Sequence, residues 1–121
     1  MTADRAVGAG LQDIVGSCRQ IADYVSRGHD AFVGDGAILD AIVFRLVTIG
    51  EASKALQLRG LDKRMPGLPW SSMARTRDRL THHYFRIDPA IVWDTATKDI
   101  PELQRAVEAA LAALGKGDRS Q

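Results

Sequence analysis

Residues 35–58 read DGAILDAIVFRLVTIGEASKALQL. Ile38, Ile42, Leu46, Ile49 and Ala52 recur at helical spacing, while Val43, Phe44 and Val47 widen the stripe until the helix is apolar around much of its circumference. A helix of that kind is expected at the centre of a bundle or against a second copy of the chain. Asp35 suits the N-cap position, since its carboxylate can accept from the first free backbone N–H groups. Gly60 is placed to end the helix.

Working outward, Leu11, Ile14, Val15, Cys18, Ile21, Ala22 and Val25 form the apolar stripe of an earlier helix, from about residue 9 to 27, closed by Gly28. Cys18 falls within that stripe and reads as a small core residue. Leu61 to Pro69, with two prolines and a glycine, reads as a loop. A third helix is expected to begin at Pro69, Ser71 or Ser72 and reach about His83. Asp88-Pro89 supplies a cap followed by proline at the first helical position, starting a fourth. There Ile91, Val92 and Thr95 are expected inward with Trp93 alongside. Pro101 predicts a break or kink near residues 99–101 rather than one straight helix, after which Leu103, Val107, Ala110, Leu111 and Leu114 resume the stripe. From Gly115 the tail is polar, and fraying is expected. No segment alternates apolar and polar residues. The expected fold is all-α, an antiparallel bundle of four to five helices in one domain over residues 1–121, its core at about 10–114.

Composition is that of an ordinary globular chain: 121 residues, 45% hydrophobic and 26% charged, too short to house two cores. No apolar run approaches the ~20 residues needed to cross a bilayer. MTADRAVGAG lacks the apolar stretch of a signal peptide, and a lone cysteine forms no internal disulfide, so the cytoplasm is the expected location. No membrane partner, metal site or cofactor is expected: the histidines at 82 and 83 are adjacent and no carboxylate cluster joins them. The net charge is only +1, yet residues 59–86 hold seven basic residues against two acids. A basic segment in an acidic remainder can recruit a polyanion; it fits a solvated helix face equally well.

Reactive side chains concentrate in Arg75-Thr76-Arg77-Asp78-Arg79-Leu80-Thr81-His82-His83-Tyr84. At about 100° per residue, Arg77 and Tyr84 share a face, and Arg75, Arg79 and His82 form a neighbouring row. Asp78 precedes His82 by four and can reach its imidazole. Arg77 and His82 lie about 140° apart and do not converge on one phosphate from one straight helix. Either the chain turns near His82, or a second copy completes the cleft across a twofold axis, the arrangement we favour. Such a cleft suits metal-free RNA cleavage: histidine moves the proton of the attacking 2′-hydroxyl, and guanidinium meets the charge growing on phosphorus-bound oxygen. Plainer readings exist for each residue. Arg75 and Arg79 can be surface cations that dock phosphate at most, His83 an exposed bystander, and Tyr84 with Phe85 interhelix packing. Glu51, an acid on an apolar helix, reads as a surface residue or as the partner of an arginine on the third helix.

Arg, four residues, His, any residue, Tyr is the signature of HEPN-domain ribonucleases, and Arg77 to Tyr84 carries it. The flanks resemble the HepT branch: Ile49-Gly50-Glu51-Ala52 in the second helix, Leu68-Pro69-Trp70 before the signature, then Ile91-Val92-Trp93 and Asp99-Ile100-Pro101-Glu102-Leu103 in register. The resemblance spans roughly residues 10–112. It implies the toxin of a type VII toxin–antitoxin pair, a homodimeric endoribonuclease with Arg77 and His82 as catalytic residues. Asp78, Arg79, Arg75 and His83 would support them or bind RNA. It further implies a nucleotidyltransferase antitoxin of the MntA type that attaches AMP to Tyr84. The chain departs from the family at His83, where glycine is common, and at Asp78, where asparagine is frequent. A second reading keeps the helical bundle but makes it a non-catalytic nucleotide-binding partner of a minimal nucleotidyltransferase.

Overall fold

The computed structural model describes residues 3–82 and 86–119, and every described element is helical. Helix α1 spans Ala3–Val25, α2 His29–Gly34, α3 Gly36–Leu58, α4 Leu61–Arg64, α5 Trp70–His82 and α6 Pro89–Asp94. A π-helical turn, Thr95–Asp99, joins α6 to α7, Ile100–Arg119. The all-α bundle expected from the stripes is the fold observed.

The caps sit where the side chains dictate. The Asp35 carboxylate accepts from Ala37 N–H at 2.9 Å at the start of α3, and Asp88 does the same for Ala90 N–H at 2.9 Å at the start of α6. After α1 the chain turns through Gly28 at φ 94°, and after α3 through Gly60 at φ 81°, conformations that L side chains rarely adopt. Helix α1 begins six residues earlier than its stripe suggested, and α7 runs past Gly115 to Arg119.

Helix α3 packs on α1 and α5, and α1 in turn packs on α7. Gly8 lies beside Leu114 and Arg19 near Glu108, so α1 and α7 run antiparallel. Leu11, Ile14, Val15, Cys18 and Ile21 of α1 meet Ile38, Ile42, Leu46, Ile49 and Leu56 of α3 and Leu103 and Val107 of α7, all buried. Each large aliphatic side chain removed from water there contributes about 1.5–3 kcal/mol. Burial also raises the Cys18 thiol to about 12, with Glu108 adding to the effect.

Three expectations change. Ala22 is exposed, because Ile21 fills the inward position and its successor points about 100° away. Ile91 is likewise 48% exposed, the inward face of α6 being set by Val92 and, four residues on, Ala96. The expected loop at 61–69 contains the short α4, and α2 was not foreseen; it buries Phe32 against Trp93, ring centroids 4.9 Å apart. The disturbance expected near Pro101 takes the form of a π turn rather than a break. Ile100 N–H bonds to Thr95 C=O in π register, and the widened turn precedes a ring that carries no N–H to donate.

Candidate active site on the fifth helix

Helix α5 is anchored at its start and reactive toward its end. Trp70 is buried and its indole N–H donates to Met65 C=O at 2.8 Å, tying the preceding loop to the helix; Met73 and Leu80 face the core. That orientation places Arg77 on the α3 side. Its side chain is 18% exposed and lies directly on Gly50, whose missing side chain makes room for it: a Cβ there would sit 2.7 Å from Arg77 Cγ and closer still to Arg77 Cβ.

The Arg77 guanidinium is held by two carboxylates. Nη1 donates to Glu51 Oε1 at 3.2 Å, and Nη2 donates to Asp78 Oδ1. Nε is buried with no hydrogen-bond partner among the described residues. The bond to Asp78, above all, raises the Arg77 pKa over its ordinary value; burial opposes this, and Glu51 adds to it. Arg77 is therefore a permanent cation with a fixed seat, its Nη donors turned to carboxylates and its Nε sheltered. Thr81 Oγ1 donates back to Arg77 C=O at 3.0 Å, and the helix is continuous between Arg77 and His82.

His82 is the last residue of α5 and is exposed. With both residues on one unbroken helix, Arg77 turns to α3 while His82 faces outward, so the two are not gathered on one point within a single chain. Asp78 engages Arg77 and not His82, correcting the expectation that it would orient the imidazole. The adjacent guanidinium is the stronger partner for its carboxylate. Arg75 and Arg79 are exposed, and Arg79 faces Arg86 across a small crease lined by Ile87 and Ile91. His83 and Tyr84 lie outside the described residues. Among the described residues there is no group of three histidine, cysteine or carboxylate side chains arranged to hold a metal ion, and no helix long and apolar enough to cross a membrane.

Glu51 takes the role of partner to an arginine of the signature helix. The part of Gly50 was not read from the sequence, although a glycine in the middle of a long helix, about 1 kcal/mol worse than alanine, is itself a signal of close approach.

Residues 14–110 match the family model described as Ribonuclease HepT-like. The chain is 37% identical over 103 residues to a putative RNase of Methanocaldococcus jannaschii, covering 84% of each chain. It is 35% identical over 99 residues to a putative RNase of Caldanaerobacter subterraneus, covering 81% of this chain and 88% of that one. To a probable ribonuclease HepT of Thermococcus cleftensis it is 34% identical over 99 residues, covering 81% and 89%. No solved structure matches the chain.

Proposed function

From the premise that this chain belongs to the HepT-like ribonuclease family, and is an endoribonuclease of the HEPN type, we propose that it cuts RNA without a metal ion, through Arg77 and His82. The observation that carries this reading is the seat of Arg77: a cation held on α3 by Gly50 and Glu51, five residues ahead of an exposed histidine. His82 takes the proton from a ribose 2′-hydroxyl as its oxygen attacks the adjacent phosphorus, and Arg77 meets the negative charge gathering on the phosphoryl oxygens. The bond to the 5′-oxygen breaks and that oxygen is protonated. The products are a 2′,3′-cyclic phosphate and a 5′-hydroxyl.

The outward turn of His82 away from Arg77 supports a homodimer in which two signature helices frame one cleft. The apolar side chains left exposed on α3, Phe44 at 62% and Leu58 at 81%, support it as well. We place the protein as the toxin of a type VII toxin–antitoxin pair, checked by an MntA-type nucleotidyltransferase. In that reaction the Tyr84 hydroxyl attacks the α-phosphorus of ATP, losing its proton, and pyrophosphate leaves. The AMP so attached sets a phosphate and a base beside the cleft, where they exclude RNA. Arg75, Arg79 and Arg86 are the exposed cations of the same region, suited to docking the strand rather than cutting it.

The test is cleavage of end-labelled RNA by the purified protein in EDTA, with His82→Ala alongside. The parent is expected to leave a cyclic phosphate and the variant to lose activity by at least about 100-fold. Because His82 is exposed at a helix end, the variant keeps its fold. Equal cleavage by both proteins refutes the role of His82. An inactive, unmodified parent that binds nucleotide would instead favour the non-catalytic partner module.

A further inference from the structure

Helix α5 packs on α3, and α7 packs on α1, which leaves a gap over α3 between them. The gap is a cavity of about 380 Å³, within the range of small-molecule sites and separate from the seat of Arg77. Its floor is apolar: Leu46 and Ile49 of α3, Met73 of α5, and Ile100 and Leu103 after the π turn, all buried. Its mouth is polar and one-sided. Asp99 and Glu102 stand there exposed, and neither joins an ion pair or side-chain hydrogen bond among the described residues. The nearby Lys98 is paired with Asp94, at 3.6 Å. Two threonine hydroxyls also line the cavity, and each spends its proton on its own helix: Thr76 Oγ1 donates to Ser72 C=O and Thr95 Oγ1 to Ile91 C=O, both at 2.9 Å. With Ser72, which also lines the cavity, five polar side chains present lone pairs, and only the Ser72 hydroxyl, which donates to no group among the described residues, offers a free hydrogen.

An anion meets one hydroxyl donor against two carboxylates, and a purely apolar ligand would leave both carboxylates unanswered. The complement is a group with several N–H donors, a positive charge and a methylene body. We propose that this cavity binds a small aliphatic amine cation, its ammonium at Asp99 and Glu102 and its methylenes over Leu46, Met73 and Leu103. The π turn builds the site, since Thr95 and Asp99 are its two ends and both line the cavity. Thr76 and Ile49 each adjoin a residue of the nuclease seat, Arg77 and Gly50, so an occupant touches the two helices whose contact holds Arg77.

Spermidine is the probe, titrated into the full chain without RNA and followed by methyl NMR and calorimetry. The expected result is a saturable shift of the Leu46, Ile49, Met73, Ile100 and Leu103 methyls. Binding weakens at least tenfold in the double variant Asp99→Asn, Glu102→Gln. The second variant, Ser72→Phe, lays a ring over the mouth while leaving every charge in place, and is expected to abolish the shifts; Ser72 is exposed in the first turn of α5, so the fold tolerates it. Absence of binding overturns the proposal. So do shifts confined to acids elsewhere on the surface, or binding that survives the loss of both carboxylates. Because the readout is binding without RNA, its failure leaves the nuclease reading intact, and an inactive nuclease leaves this one intact.

Discussion

Replacing Gly50 with alanine tests the α3–α5 contact more sharply than any change of charge. In an exposed helix interior the substitution gains about 1 kcal/mol from helix propensity. At this position the new methyl sits 2.7 Å from Arg77 Cγ, against 3.4–4 Å for ordinary contact, and closer still to Arg77 Cβ. That Cβ is fixed to the backbone of α5, so no rotamer relieves the clash and the two helices must part by something on the order of 1 Å. Overpacking of this kind costs about 1–3 kcal/mol. Loosening the Glu51 pair, 57% exposed on the acid side, adds at most about 1 kcal/mol. The net expectation is a loss of about 1–2 kcal/mol, a fall in Tm of roughly 3–10 °C for a chain of this size. Urea denaturation measures it, and RNA cleavage should fall further than stability does because Arg77 is displaced. Gly16→Ala is the control: Gly16 is exposed on α1 with nothing within 4 Å of its added methyl, and is expected to stabilise by about 0.5–1 kcal/mol. Equal stabilisation by both substitutions, with cleavage unchanged, would refute the reasoning.

Glu51→Gln keeps the shape but removes a charge from Arg77; stability is expected to change by less than about 1 kcal/mol. The affinity for a non-cleaved RNA analogue should rise in filter binding, since one competitor for the guanidinium is weakened. Asp88→Ala removes the cap of α6 and is expected to cost about 1 kcal/mol in thermal unfolding. Cys18, buried with its thiol raised to about 12, should resist thiol reagents in the native state and react only on unfolding. Between its ordinary 9.0 and about 12 the unfolded thiol ionises and the folded one does not, so stability falls as pH rises through that window. Cys18→Ser should flatten the high-pH part of a stability profile.

The long helices were legible because their signals are local. Stripes at three- and four-residue spacing marked α1, α3 and α7, and single side chains at Gly28, Asp35, Gly60 and Asp88-Pro89 marked boundaries. Helix α2 escaped because six residues carrying one buried side chain, Phe32, make no period. The π turn escaped because a helical wheel assumes constant rotation per residue; Pro101 announced a disturbance but not its form. At the site, the signature identified Arg77 and His82, and an isolated acid on α3 identified Glu51. The choice of Asp78 between Arg77 and His82 was beyond reach, since both lie within its span and spacing alone does not rank the two partners.

On the proposed reading, in which Arg77 receives the phosphate, its two carboxylates give RNA binding the character of an ion exchange. A phosphate arriving at a bare surface cation releases ions from its own atmosphere, and each such contact steepens the salt dependence by about 0.7 for a single strand. At Arg77 the phosphate must also displace Asp78 or Glu51, which remain tethered where they were and carry their charge into the complex. The protein thus keeps an intramolecular counter-anion on its best-placed cation. On that reading, strands that offer only charge are turned away there at little cost, while a strand whose ribose and phosphate also fit the proposed cleft takes the guanidinium over.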